Sequence, residues 1–192
     1  MKHTIILCAA LLLCAALFSC GRPETVMPAE KPSAGVTAPS AGSSEPDKLA
    51  FSAQIIRTDG YRDGVDYPVV TVIDTADDLA RYVADNKDLY DFSHKETVYS
   101  DTTIGLVDAI GKYDAAWFAD HRLLVVLLEE GSGSIRHEVT AVTDGPDPAV
   151  DITLLCPECC TDDMAEWHIL IELDREADLS GEISVRFTAK DV

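Results

Sequence analysis

The chain has 192 residues, 47% of them hydrophobic and 26% charged, so it is long enough for a globular domain with a hydrophobic core. Its 34 acidic residues outnumber the 15 basic ones, which gives a formal net charge of −19. So acidic a surface repels nucleic acids and anionic lipids and favours cationic partners or divalent cations. The composition therefore argues against a DNA- or RNA-binding role.

The N-terminus has the organisation of a bacterial export signal. Lys2 precedes an apolar segment at residues 4–18, which is too short for a comfortable membrane span. The segment ends in Leu17-Phe18-Ser19-Cys20, which resembles the lipobox of bacterial lipoproteins. The resemblance implies a signal peptide at residues 1–19, acyl chains on Cys20, and an extracytoplasmic protein anchored to the bacterial membrane. The alternative is an ordinary secretory signal in which Cys20 is incidental.

A change in composition follows Cys20. Residues 21–47 contain five prolines and no aromatic residue, so they bury too little surface to order themselves. Residues 20–47 are therefore predicted to form a lipidated cysteine and a flexible tether, with a reach of roughly 30 Å. The rest of the chain, residues 48–192, is predicted to form a single globular domain.

The first half of this domain contains both strand and helix patterns. Residues 49–56 and 67–73 are predicted strands. A helix is predicted over residues 75–86, with Thr75 or Asp74 as its N-cap. Residues 86–102 carry no clear pattern, a second helix is predicted over residues 103–112, and a short turn over 114–119.

The clearest fold signal lies in the middle of the domain. Residues 123–128 are six consecutive apolar residues, which predict a strand buried on both faces. Residues 135–142 alternate in character, and Gly131, Ser132, Gly133 and Ser134 lie in the loop before them. These features predict an antiparallel hairpin with a glycine-rich, exposed tip that is a candidate binding surface.

The second half of the domain is rich in strand patterns. A turn at residues 144–148 precedes a strand at 152–155 and a loop at 156–166. Two further strands each place one set of residues on an inward face: Trp167, Ile169, Ile171 and Leu173, then Ile183, Val185, Phe187 and Ala189. The predicted fold is α+β, a largely antiparallel sheet or sandwich with two helices in the N-terminal half of the domain.

Three cysteines in the loop invite a chemical interpretation. Cys156, Cys159 and Cys160 include a CxxC pair, which is typical of redox motifs and of half a zinc site. His168 or His137 is available as a further ligand, but no spacing supports either, and no helical pattern follows the CxxC pair. The alternatives are loop thiols without a function, or one local disulfide with a cysteine left over.

Two acidic segments are weaker candidates. Residues 59–66 resemble a calcium loop, but Tyr61 and Val70 stand where oxygen ligands are required, so a solvated turn is favoured. Asp162, Asp163 and Glu166 offer carboxylates in a loop, where such residues are usually solvated or cap the backbone.

The histidine and the serines of the central segment do not form a catalytic motif. His137 lies on the inward face of its predicted strand, which is typical of a hydrogen-bonded core residue. Ser132 and Ser134 lie outside the strand-to-helix turn that a nucleophile elbow requires. The sequence therefore assigns no catalytic residue and no cofactor.

The order of elements resembles one known family. A helix at 75–86, a segment at 113–121 leading into the strand 123–128, a glycine-rich turn and a strand at 135–142 look like the PrcB-type domain. The family's turn usually reads like Thr-Gly-Gly-Tyr, and this chain lacks the tyrosine. The family comprises bacterial lipoproteins, one of which is a subunit that supports a surface protease complex. The resemblance implies a non-catalytic surface module with a mainly β fold.

Two functions are compatible with these sequence features. The favoured one is a membrane-anchored binding or accessory module with a protein or cell-envelope partner. The alternative is a thiol- or metal-dependent enzyme that uses the loop from Cys156 to Trp167 together with His137 or His168.

Overall fold

The computed structural model describes residues 48–60, 62–95, 97–100 and 102–192. The predicted signal peptide, Cys20 and the tether up to residue 47 lie outside the described residues. The described elements, in chain order, are β1 (Phe51–Arg57), β2 (Val69–Ile73), α1 (Ala76–Asn86), α2 (Leu106–Ala109), a 3-10 turn (Ile110–Lys112), α3 (Trp117–Asp120), β3 (His121–Glu130), β4 (Arg136–Thr143), β5 (Ala149–Cys156), β6 (Ala165–Asp174) and β7 (Ser184–Asp191). No helix among them is long and apolar enough to cross a membrane.

The strands of the described region form two sheets. The first has the order β1-β6-β3-β2, and all its neighbours are antiparallel. The second has the order β4-β5-β7, in which β4 and β5 are antiparallel and β7 runs parallel to β5. This arrangement confirms the predicted α+β fold with a largely antiparallel sheet content and helices in the N-terminal half.

The predicted hairpin of residues 123–142 is wrong. β3 pairs with β2 and β6, whereas β4 belongs to the other sheet and pairs with β5. The reason lies in the burial of β3, because its six central residues are all buried. A strand covered on both faces needs a neighbour along each edge and a layer on each face, and the chain after it crosses to build the second layer.

Two hydrophobic clusters define three layers. One lies between the helices and the four-stranded sheet and includes Leu123, Val125 and Leu127. The other lies between the two sheets and includes Val126 and Trp167. Helices, first sheet and second sheet are therefore stacked in that order, with β3 and β6 at the centre.

The helices differ in how well the sequence predicted them. α1 is confirmed, and Thr75 is its N-cap because its Oγ1 accepts a hydrogen bond of 3.0 Å from the amide of Asp78. The predicted second helix is shorter than expected, with four residues of α2 followed by the 3-10 turn. The predicted turn at 114–119 contains the start of α3.

β6 confirms its predicted inward face, while β7 does so only in part. Trp167, Ile169, Ile171 and Leu173 all belong to the core between the sheets, and Ile183 and Val185 pack against it. Phe187 is 43% exposed and Ala189 is exposed as well. The prediction is wrong at these two residues because β7 is the edge strand of its sheet.

Candidate functional site

The glycine-rich segment that was predicted to be an exposed tip is packed against the domain. Ser132 is only 3% exposed, and its hydroxyl lies 2.7 Å from the Ser134 hydroxyl and 3.0 Å from that of Thr161. The amide of Gly133 donates to the main-chain carbonyl and to the carboxylate of Asp163, at 2.9 and 3.1 Å. Only Gly131 is exposed, so the premise of an exposed binding tip is wrong.

An ion pair holds this segment in place. Arg57 Nη2 lies 3.0 Å from Asp163 Oδ2, and Arg57 Nε lies 2.6 Å from Asp59 Oδ1. Hydrogen bonds from Thr161, Arg57 and the Gly133 amide lower the pKa of Asp163 to about 2. Asp163 therefore stays ionised at neutral pH as an anchor for two loops, which disfavours an acid–base role.

The three cysteines of the 156–166 loop are free thiols. Cys156 is half-buried at the end of β5, and Cys159 and Cys160 are exposed. His137 is buried as predicted: its Nε2 lies 2.9 Å from Glu130 Oε1, and its ring meets that of Trp167 edge-on at 5.3 Å. Its Nδ1 has no hydrogen-bond partner among the described residues, so no thiol is paired with this imidazole.

His168, the other candidate ligand, lies in a different part of the molecule. It is fully buried on the helix-facing side of β6, and its Nδ1 lies 2.7 Å from Thr58 Oγ1. The rings of Tyr82, Tyr90 and Phe92 meet it edge-on at 6.0, 5.3 and 5.0 Å. Burial lowers the pKa of His168 to about 3, so its ring is neutral at physiological pH.

A metal site at these residues has no support from the geometry. In the described part of the chain, no group of three or more histidine, cysteine, aspartate and glutamate side chains is arranged to hold a metal ion. His168 faces the helices, whereas Cys156 ends a strand of the other sheet.

A second buried polar group lies beside His168. Glu166 is 3% exposed, and its Oε2 accepts a hydrogen bond of 2.9 Å from the amide of Gly60. Desolvation by burial raises the pKa of Glu166. The hydroxyls of Tyr67 and Tyr90 lie 3.0 Å apart. These contacts tie the start of the β1–β2 connection to β6 and its end to Tyr90, in the segment after α1.

A cleft between α1 and β2 has a volume of about 340 Å³. Val69 and Thr71 are on the helix-facing side of β2, where they pair with Leu127 and Val125 of β3. Tyr82, Asp85 and Asn86 of α1 lie opposite them, because residues three or four apart share one side of a helix. Leu89, just beyond the end of α1, continues this side. The lining residues of this α1–β2 cleft are Arg62, Val69, Thr71, Tyr82, Asp85, Asn86, Leu89 and Leu127.

Two side chains of opposite charge, Arg62 and Asp85, line the α1–β2 cleft. Arg62 comes from the β1–β2 connection and Asp85 from the last turns of α1, and neither forms an ion pair with another described residue. Burial raises the pKa of Tyr82, so its hydroxyl stays protonated and can donate a hydrogen bond. The negative end of the α1 dipole adds to Asp85 in favouring a cationic group there.

These features suit a small ligand or a short peptide segment that carries both charges. Pockets that bind small molecules are mostly apolar with a few polar groups that fix orientation, and about 340 Å³ is near the lower end of their volumes. Val69, Leu89 and Leu127 supply the apolar surface, and the charges of Arg62 and Asp85 can fix the orientation of a bound ligand.

Sequence reasoning did not find this cleft. In the sequence, Arg62 belongs to a segment that favours a solvated turn, and Asp85 to the polar side of a helix. The only available signal was the spacing of Tyr82, Asp85, Asn86 and Leu89, which places them on one face, but it does not reveal that β2 and Arg62 lie opposite.

Comparisons with protein-family models, with curated proteins and with solved structures found no match to this chain.

Proposed function

We propose that the protein is a bacterial lipoprotein, anchored by Cys20 to the membrane on its extracytoplasmic side, whose domain is a non-catalytic binding or accessory module. The observation that carries the proposal is the order of three segments: the apolar residues 4–18, the lipobox-like Leu17-Phe18-Ser19-Cys20, and the proline-rich residues 21–47. This order is typical of a lipid-tethered domain displayed close to a membrane.

The α1–β2 cleft is the binding surface that we assign to the module. Its charged side chains are not neutralised by other described residues, and its base is apolar. A segment of a protein partner, or a cell-envelope component with both charges, matches this chemistry. The resemblance to PrcB-type domains supports an accessory role beside a surface protease or another envelope complex.

The anchor is tested by replacing the cysteine. Cys20→Ala should abolish the incorporation of labelled palmitate and release the protein from membranes washed with carbonate. Cys14→Ala, within the apolar segment, is the matched control and should leave both properties unchanged. A Cys20→Ala protein that still sediments with washed membranes would show that the lipoprotein assignment is wrong.

The cleft is tested by capture from the native membrane with the full-length lipoprotein as bait. We expect the double variant Arg62→Gln, Asp85→Asn to lose the partners that the wild-type protein retains. Arg81→Gln is the control, because Arg81 lies on the same helix and pairs with Asp78 at 2.6 Å outside the cleft. If the double variant and the control captured the same partners equally well, the α1–β2 cleft would not be the binding surface.

A further inference from the structure

β7 is a long edge strand that no other described strand covers. It has eight residues, pairs only with β5 in the described part of the chain, and is exposed at every position except Val185. Edge strands of this length offer unpaired backbone groups to another strand, and proteins usually shorten, cover or interrupt them. The free edge of β7 is therefore available for pairing with another strand.

The hydrogen bonds of β7 show which backbone groups are free. The amide of Ser184 donates to the carbonyl of Pro148, and the amide of Val192 donates to that of Cys156, both at 3.0 Å. Successive residues of a strand direct their backbone groups to opposite edges, so the even-numbered residues face β5. The N–H and C=O groups of Val185, Phe187 and Ala189 consequently point to the free edge.

The same three residues form an apolar stripe. Val185 packs against the core between the sheets, whereas Phe187 is 43% exposed. Phe187 also borders a small cavity of about 120 Å³, whose other lining residues are Tyr67, Pro68, Leu128, Leu154 and the acidic pair Glu129 and Glu130. The Phe187 side chain thus has a mixed apolar and acidic cavity on one side and solvent on the other.

We propose that two copies of the protein pair through β7, antiparallel and about a two-fold axis at Phe187. The two three-stranded sheets then continue as one six-stranded sheet. Phe187 and its copy lie opposite each other, where each backbone donates to and accepts from the other. This pairing goes beyond the proposed binding function and does not depend on the α1–β2 cleft.

The pattern of side chains selects the register. The two copies must keep their apolar faces on the same side of the joined sheet. The two-fold axis therefore lies at a residue and not between two residues, because an axis between residues would place the apolar face of one copy beside the polar face of the other. Only an axis at Phe187 or at Thr188 lets most of β7 overlap with its copy. An axis at Thr188 would place Arg186 opposite Lys190, which are like charges. An axis at Phe187 places Arg186 opposite Thr188, Lys190 opposite Ser184, and Val185 opposite Ala189, so every pair is compatible.

The charge of β7 favours a second copy at this surface. The chain has more than twice as many acidic as basic residues, so most of its surfaces repel a copy of themselves. β7 instead carries Arg186 and Lys190 against Asp191 alone. Arg186 also makes two hydrogen bonds to the carboxylate of Asp151 on β5, at 2.5 and 3.0 Å, which hold its side chain in place on the sheet.

The pairing is tested with a photoreactive amino acid at position 188 of the full-length lipoprotein in native membranes. We expect a cross-linked product of twice the mass of the chain, in which both peptides come from β7. The same probe at Glu138, an exposed position on the opposite edge strand β4, should give no such product. A product with a different protein, or no product at position 188, would overturn the proposal.

Two substitutions and a control complete the test. Phe187→Lys places two like charges opposite each other, and Ala189→Pro removes an edge amide that is not bonded to β5, so each should lower the yield at least tenfold. Tyr99→Lys is the control, since Tyr99 is 86% exposed in another region, and it should leave the yield unchanged. Full cross-linking in the Phe187→Lys and Ala189→Pro proteins would overturn the β7 pairing.

Discussion

His168 and Glu166 are polar residues at the positions of β6 that alternate with its apolar ones, and the sequence pattern places such residues in solvent. Both are instead buried, at 0% and 3% exposure, His168 beneath the ring of Tyr82 from α1 and Glu166 beneath the start of the β1–β2 connection. Thr58 and the amide of Gly60 make this possible, because each supplies a hydrogen bond to a group that would otherwise be costly to bury. These partners are more than 100 residues away in sequence, so the alternation alone does not reveal them.

The burial of His168 predicts a pH-dependent stability. Burial lowers its pKa from 6.5 to about 3, so between these values the unfolded chain binds a proton that the folded protein does not. The contribution of His168 to stability is therefore fully present above pH 6.5 and is lost as the pH falls towards 3. The slope is at most about 1.4 kcal/mol per pH unit.

His168→Gln, which carries no titrating group, should flatten this slope between pH 7 and pH 4.5. The free energy of unfolding, measured by urea denaturation across that range, gives the comparison. Parallel curves for the variant and the wild-type protein would contradict the assignment of a neutral, buried imidazole.

Gly60 illustrates a constraint of close approach. A Cβ atom at this position would overlap the carbonyl oxygen of Leu89 and the ring of Tyr90, and the backbone at Leu89 cannot easily move. Gly60→Ala should therefore lower the free energy of unfolding by about 1–3 kcal/mol. Gly131→Ala is the matched control, because nothing lies within 4 Å of its Cβ position, and it should change stability by about 0.5 kcal/mol or less. Equal melting temperatures for the two variants would argue against the tight packing at Gly60.

At the scale of elements, the apolar run of β3 predicted its own environment but not its partners. Six consecutive apolar residues indicate burial on both faces, and the structure confirms it. The loop with Gly131 and Gly133 suggested a local hairpin, yet β3 pairs with β6, and 34 residues lie between these two strands. Pairing across that distance depends on which strands can fill both edges of a central strand, and no local pattern encodes it.

The central position of β3 predicts a large effect of one buried charge. Val126 is fully buried in the core between the sheets, and Val126→Asp leaves a carboxyl group there without a partner. The cost is several kcal/mol whether the group stays ionised or becomes neutral, which is a large part of the about 5–15 kcal/mol that stabilises a typical domain. We expect the circular dichroism spectrum of the variant to show that it is largely unfolded.

The same substitution at an exposed valine provides the control. Val107 is 39% exposed in α2, so a carboxylate at this position stays in contact with water. Val107→Asp should therefore change the free energy of unfolding by about 0.5 kcal/mol or less. If Val126→Asp had the same melting temperature as Val107→Asp and the wild type, β3 would not be the central strand of the fold.

At the scale of the whole molecule, the α1–β2 cleft joins residues that the sequence keeps apart. Arg62 and Asp85 lie in different elements, and each looks like an ordinary exposed charge in its own segment. They share a cleft because α1 packs over the edge strand β2, and that packing is a property of the layered fold. The fold class was thus accessible from sequence patterns, while the candidate site became visible only with the layers in place.

The contacts of the first described residues predict where the folded domain begins. Lys48 forms a β-bridge with Thr143, and the amide of Leu49 donates to the carbonyl of Val142 at 2.8 Å. Leu49 also packs against the core between the sheets. The short segment before β1 therefore connects the start of the first sheet to β4 of the second sheet. Removing it costs a hydrogen bond and part of a leucine's burial, about 2 kcal/mol in total.

We therefore expect a chain that begins at Asp47 to melt at the same temperature as one that begins at Gly21. A chain that begins at Phe51 should melt roughly 4–8 °C lower. Lys48→Ala in the chain from Asp47 is the control, because the bridge to Thr143 is made by the backbone and should survive loss of the side chain. A lower melting temperature for the chain from Asp47 than for the chain from Gly21 would show that residues 21–46 also stabilise the domain.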